Sequence, residues 1–305
     1  MSSYSKLYDL CKKIECEYST DVLLKDYTSF KIGGKADVMI FPDSIEKLSA
    51  LISLIGNENI TSLVLGKGSN MLVDDIGFRG VVINTCKLDK ITLADDLTVV
   101  CQCGVSLSRL CRFALENSLT GLEFAFGIPG TAGGAAYMNA GAYGGEMKDV
   151  LVSCEHIHSD GSFGEFCADE LELGYRHSVY SDSDMLITSL KLKLSKGNPE
   201  EIKAKMDELM GKRRDKQPLE YPSAGSTFKR PEGYFAGALI EQCNLKGYSV
   251  GGAQVSEKHA GFVINKGGAT AYDVISVIEH CQKTVFEKTG VMLEPEVKII
   301  KQEGI

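Results

Sequence analysis

Two stretches of the chain are made of residue types that could hold a phosphorylated ligand. Residues 66–70 read Gly-Lys-Gly-Ser-Asn and follow the apolar run Leu63, Val64, Leu65; residues 127–146 read GIPGTAGGAAYMNAGAYGGE. Glycine admits positive φ and lets backbone N–H groups come close to an anion, so a glycine-rich loop after a strand is a candidate pyrophosphate cradle. Tight turns are the plainer explanation of the first loop. It is not a dinucleotide fingerprint, because Met71 stands where G-x-G-x-x-G would close, and it lacks the Gly-Lys-Ser/Thr of a P-loop. The second stretch interleaves glycine with small residues and Asn139, which suits a loop laid against a flat ligand, a nucleotide or a flavin bound in non-Rossmann fashion. Three further segments carry groups able to act on a substrate: Tyr175-Arg176-His177-Ser178, Ala224-Gly225-Ser226-Thr227-Phe228-Lys229 and Leu293-Glu294-Pro295-Glu296-Val297. Singly, each has an ordinary reading as a surface arginine, a serine in a turn and a solvated glutamate.

The elements that must position these groups alternate between helical and strand periodicity. The first 85 residues read as a small α/β unit: a helix over 4–16, a strand over 36–41, a helix opened by Asp43 with Glu46 in capping-box position, and buried strands over 62–65 and 80–84. Residues 86–198 read as a second unit, with a strand over 97–103, a helix over 107–117 and strands over 150–158, 163–166 and 185–194 in an antiparallel sheet. Residues 199–305 read as a third, with helices over 199–214, 235–243 and 270–288, the last capped by Thr270 and Asp273. A closing strand over 297–300 is expected to return to the first unit.

Composition narrows the function. With 305 residues, 44% of them hydrophobic and 24% charged, this is a soluble globular chain with a proper core. A net charge of −8 argues against non-specific binding to nucleic acid or anionic membrane. No run approaches the roughly 20 apolar residues of a membrane span, and the first residues, MSSYSKLYDLCKKIECEYST, do not read as a signal peptide, so a cytoplasmic protein is expected. The ten cysteines are scattered without C-x-x-C pairs and read as reduced, mostly buried thiols; Cys101 with Cys103 and His156 with His158 read as structural, with no metal site.

Taken in order, the motifs resemble the UDP-N-acetylenolpyruvoylglucosamine reductase family over nearly the whole chain. The resemblance runs through residues 27–36 (YTSFKIGGKA), 65–73 (LGKGSNMLV), 77–80 (GFRG), 127–146, Tyr175-Arg176, 222–229 (PSAGSTFK), 252–260 (GAQVSEKHA) and 293–297 (LEPEV). It implies an α+β fold: a two-part FAD-binding domain of the PCMH/vanillyl-alcohol-oxidase type, followed by a C-terminal α+β substrate-binding domain. It implies non-covalent FAD contacted by Tyr27, Ile32, Gly33, Gly34, Gly66, Lys67, Gly68, Ser69, Asn70, Gly127, Pro129, Gly130, Thr131, Gly133, Gly134, Ala135, Asn139, Gly141 and Ala142. It also implies catalysis by Arg176, Ser226 and Glu296.

The implied reaction belongs to peptidoglycan precursor synthesis. UDP-N-acetylglucosamine enolpyruvate is reduced to UDP-N-acetylmuramate, with NADPH as co-substrate and FAD as hydride carrier. Charge develops beside the substrate carboxylate, where the planar fork of Arg176 suits it. Ser226 would protonate the carbon, aided by a relay behind it. Glu296 would either donate a hydrogen bond as a protonated acid or orient Arg176. Substrate contacts are expected from Tyr143, Tyr175, Lys216, Lys229, Arg230, Gln254 and His259, and less firmly from Lys246 and Lys258. The absence of a Rossmann motif suits NADPH and substrate using one site in turn. The spacings of 50 residues from Arg176 to Ser226 and 70 from Ser226 to Glu296 resemble the compact form of the family, which lacks an inserted tyrosine loop. A monomer or a homodimer is expected. Two other readings stay open: another FAD-linked oxidoreductase of the superfamily, and a nucleotide-binding regulator that kept the fold.

Overall fold

The computed structural model describes residues 3–302. By packing, the chain divides into two units. One comprises the chain up to Ser19, Val38–Gly66 and Val81–Lys212; the other comprises Thr20–Asp37, Lys67–Gly80 and the chain from Arg213 onward. The division is not the three consecutive segments expected from sequence, because residues 20–37 and 67–80 share their core with the C-terminal region. Phe30, Ile32 and Leu72 pack in one apolar cluster with Val274, Val277 and Ile278.

In the first unit, helix α1 (Ser3–Lys13) buries Leu7 and Cys11. Helix α2 (Ile45–Asn57) buries Leu48, Leu51, Ile52 and Ile55, the i, i+3, i+4, i+7 stripe of a one-sided helix. Its cap is Ser44, whose hydroxyl accepts from the Lys47 N–H at 3.2 Å; the expected opener, Asp43, instead pairs with the Lys47 ammonium at 2.9 Å. Strand Ser62–Leu65 lies parallel to residues 81–84. It alternates exposed and buried positions, so only one of its faces is covered, not both as expected.

The larger sheet of this unit is antiparallel, in the order Phe163–Cys167, Leu151–Ile157, Leu186–Lys193, Thr98–Gln102, Ile91–Asp95. The last is an edge strand with four of its five residues exposed, which is why its sequence carries little signal. Helix α3 (Leu107–Glu116) is capped by Ser106. A short helix α4 (Ala132–Tyr137), capped by Thr131, lies inside the second glycine-rich stretch and was not expected there. The polar helix α5 (Pro199–Lys216) follows the sheet.

In the second unit, helices α6 (Ala236–Gln242) and α7 (Ala271–Thr289) pack with a small sheet of Ser249–Val250, Ala253–Val255 and Val263–Asn265. Thr270 and Asp273 form the expected capping box of α7, and Gly290 ends it in the left-handed conformation. Both carboxylate oxygens of Asp75 also accept from the Ala271 N–H, at 2.9 and 3.0 Å. Strand Lys298–Ile300 pairs in parallel with Met71–Val73.

The cysteines are unbridged, and burial pushes the thiols of Cys103 and Cys111 up to about 12. His156 stacks on Phe166, with Nδ1 3.0 Å from the Tyr180 hydroxyl.

Candidate active site

Ser226 and Glu296 are carried by two extended segments that hydrogen-bond to each other. Lys229 N–H donates to Glu294 O and Glu296 N–H donates to Thr227 O, both at 2.8 Å, around an antiparallel bridge between Phe228 and Pro295. The other edge of the serine segment is tied as firmly. Thr227 N–H donates to Gly261 O at 2.8 Å, and the Thr227 hydroxyl accepts from Val263 N–H at 2.9 Å. On the far side of residue 296, Asn70 Nδ2 donates to Glu296 O at 3.2 Å, while Asn70 O accepts from Lys298 N–H at 3.0 Å. The backbone of Glu296 is thus held from both edges. Both Ser226 and Glu296 are half-buried.

Arg176 lies in the first unit, at the tip of a two-residue hairpin closed by Gly174 N–H to His177 O (3.1 Å) and His177 N–H to Gly174 O (3.3 Å). Its φ of 55° is left-handed, a conformation that costs any residue with a Cβ and persists only where surroundings hold it. Its guanidinium carbon sits 5.4 Å from the centroid of the Tyr175 ring. Tyr143 occupies the equivalent place on a second tight hairpin, formed by Gly141–Ala142 and Gly145–Glu146, with φ of 55° at Tyr143 and 90° at Gly144. Asn139 is buried between them, its amide bonded to both hairpins.

The remaining expected substrate contacts are spread over the second unit. Lys229 pairs with Glu294 at 3.4 Å, and the Arg230 guanidinium lies 4.0 Å from the Phe235 ring centroid. Gln254 Nε2 donates to Gly247 O at 3.1 Å. His259 Nδ1 accepts from Gly261 N–H at 3.1 Å, and burial lowers its pKa. Lys216 is exposed at the end of α5. Lys246 pairs with Glu241, and Lys258 with Glu220 and the Arg214 carbonyl.

Residues 36–166 match an FAD binding domain family, and residues 217–300 match the C-terminal domain of UDP-N-acetylenolpyruvoylglucosamine reductase. The reductase of Caldanaerobacter subterraneus subsp. tengcongensis is 49% identical over 92% of both chains, and that of Clostridium novyi is 48% identical over 97% of this chain and 98% of its own. A crystal structure of the reductase from Thermus caldophilus superposes with a TM-score of 0.79 at 37% identity, over 93% of this chain and 98% of its own. The chain belongs to the UDP-N-acetylenolpyruvoylglucosamine reductase family. Its fold is the expected α+β arrangement of an FAD-binding domain and the family's C-terminal domain. An alkyldihydroxyacetonephosphate synthase structure, 17% identical with a TM-score of 0.51 over 63% of this chain, shares the flavin-domain fold.

The glycine-rich loops fit a diphosphate. Among the described residues, the backbone N–H groups of Lys67, Gly68 and Ser69, and those of Gly127, Gly130 and Thr131, donate to no protein acceptor. Each loop, taken by itself in its own unit, offers left-over donors that suit the acceptor-only oxygens of a phosphate group. Several glycines are also required by the protein's own packing, which density alone did not reveal. A Cβ on Gly34 would fall 2.2 Å from Asp75 O, one on Gly66 2.6 Å from the Thr131 hydroxyl, and one on Gly133 2.7 Å from Cys103 Cβ. Thr227, the junction between the Ser226 and Glu296 segments, was missed as a candidate residue. Its only sequence signal was its place beside Ser226.

Proposed function

We propose that this chain reduces UDP-N-acetylglucosamine enolpyruvate to UDP-N-acetylmuramate with NADPH, in the cytoplasm, as a step of peptidoglycan precursor synthesis. FAD, when bound, supplies the hydride that NADPH has given up. The unpaired N–H groups at 67–69 and in 127–131 hold its diphosphate. Arg176 forks onto the substrate carboxylate and takes up the charge that develops beside it. Ser226 donates the proton to the carbon next to that carboxylate. Glu296 supports the same charge, as a hydrogen-bond donor or by aligning cationic partners. Lys229, Arg230 and Lys216 meet the substrate diphosphate, with Tyr143, Tyr175, Gln254 and His259 completing the contacts. NADPH and the substrate occupy the site in turn.

The observation that carries this reading is the rung between residues 226–229 and 294–296. Two segments about 70 positions apart in sequence are hydrogen-bonded side by side, and each bears one candidate group. The test is a split reaction in Ser226→Ala under anaerobic conditions. NADPH still bleaches the flavin, while reoxidation by substrate slows by roughly 10²–10⁴-fold, the usual worth of general acid catalysis. Reoxidation at the wild-type rate would remove Ser226 from this role.

A further inference from the structure

Asn139 sits in the stretch read as a flavin loop, yet its side chain is spent on the protein. Nδ2 donates to Glu146 Oε2 at 2.6 Å and to Gly174 O at 3.0 Å, and Oδ1 accepts from Lys148 N–H at 2.9 Å. The residue is 1% exposed and has φ of 44°. A primary amide has two N–H donors, and both are taken here. Glu146 and Lys148 flank the end of the hairpin whose tip is Tyr143; Gly174 closes the hairpin whose tip is Arg176. One buried amide therefore bolts the two hairpins together. Gly174 O is itself the acceptor of the His177 N–H that closes the turn, so Asn139 holds the atom on which the left-handed Arg176 conformation depends.

We infer that Asn139, supported by Glu146, is a positioning residue for Arg176, fixing the hairpin that presents the guanidinium to the substrate carboxylate. This rests on the proposed role of Arg176. Misplacing a reacting group by about 1 Å can cost on the order of a hundredfold in rate. Loosening the amide should thus act on the substrate half-reaction and leave the NADPH half-reaction alone.

The experiment uses the flavin-loaded enzyme in anaerobic stopped flow. Asn139→Ala should slow reoxidation by substrate at least tenfold and change bleaching by NADPH less than twofold. The double variant Asn139→Ala/Arg176→Ala should be no slower than Arg176→Ala, because the amide acts through the arginine. Glu146→Ala, at a partly exposed position, should slow the same step, and Glu146→Gln, which keeps an acceptor for Asn139, should restore it. Independent of turnover, amide hydrogen exchange at His177 should quicken at least tenfold in Asn139→Ala. If Asn139→Ala does not fold, the Glu146 pair and its His177 exchange decide the matter. Wild-type reoxidation in Asn139→Ala or Glu146→Ala, unchanged exchange at His177, or multiplying losses in the double variant would each overturn the assignment. Normal reoxidation in Arg176→Ala would instead refute the role of Arg176 itself, an outcome distinct from a slow Arg176→Ala beside a normal Asn139→Ala.

Discussion

Replacing Thr227 tests what joins the serine and glutamate segments. Thr227 is 2% exposed, and its hydroxyl is the acceptor for the N–H of Val263, itself 1% exposed. Thr227→Val keeps the shape and removes that acceptor. A buried N–H left unpaired costs about 1–3 kcal/mol, so a loss of about 2 kcal/mol is expected. With a urea slope of about 3 kcal/mol/M, the midpoint should fall by roughly 0.7 M. Thr227→Ser keeps the hydroxyl and loses one methyl, a cost of about 1 kcal/mol. The hydrogen-bond argument therefore ranks valine as the worse substitution, whereas an argument from apolar burial alone ranks serine as the worse. The chain has no tryptophan, so unfolding is followed by far-ultraviolet circular dichroism. The backbone bonds from Thr227 N–H to Gly261 O and from Glu296 N–H to Thr227 O survive both changes, so folded Thr227→Val should keep most of its reoxidation rate. A midpoint for Thr227→Val at or above that of Thr227→Ser would refute the reasoning.

Stability should also fall on mild acidification. Burial lowers the pKa of His156 and of His259 below the ordinary 6.5, so below that pH the unfolded chain binds more protons than the folded one. Stability contributed by keeping these rings neutral is present above about 6.5 and is lost as pH drops through the folded pKa values. Melting temperature should decline between pH 7.5 and 5.5, and His259→Asn, which keeps an acceptor for Gly261 N–H, should flatten part of the decline; an identical slope in the variant would dismiss His259 as a contributor. Separately, Asp75→Ala removes an acceptor from the first turn of α7, worth about 1 kcal/mol on the scale of helix caps. Asp75→Asn should lose less, and equal urea midpoints for Asp75→Ala and wild type would show that the Thr270–Asp273 box caps the helix alone.

The elements with one strong period were legible in the sequence. Helix α7 repeats apolar residues at helical spacing between a capping box and a left-handed glycine, and each signal agrees with the next. The strands Leu151–Ile157 and Leu186–Lys193 are buried along most of their length, and their apolar runs between turn residues made them legible. What escaped was short or exposed. The strands of residues 249–265 are two or three residues long, and Ile91–Asp95 has only one partly covered residue. Local periodicity holds no information in so few positions. The cut between packing units escaped for a different reason: it follows the pairing of Met71–Val73 with Lys298–Ile300, more than 200 residues away, which no window along the chain contains.

The candidate site divides the same way. The candidate residues could be singled out because Ser226 and Glu296 sit in the motifs PSAGSTFK and LEPEV, and Arg176 in the pair Tyr175-Arg176 that falls in order between longer motifs. What holds them was not legible, since it consists of long-range bonds to backbone atoms, which have no residue identity. Gly174 O, Glu296 O and Thr227 O accept the bonds that fix the three segments, and a carbonyl leaves no trace in a sequence. The donors do leave one, and two are asparagines inside glycine-rich loops, where their neighbours invite a ligand-binding reading. Asn70 donates to Glu296 O and Asn139 to Gly174 O, so each loop read as a cradle also carries an amide bonded to a segment that bears a candidate residue.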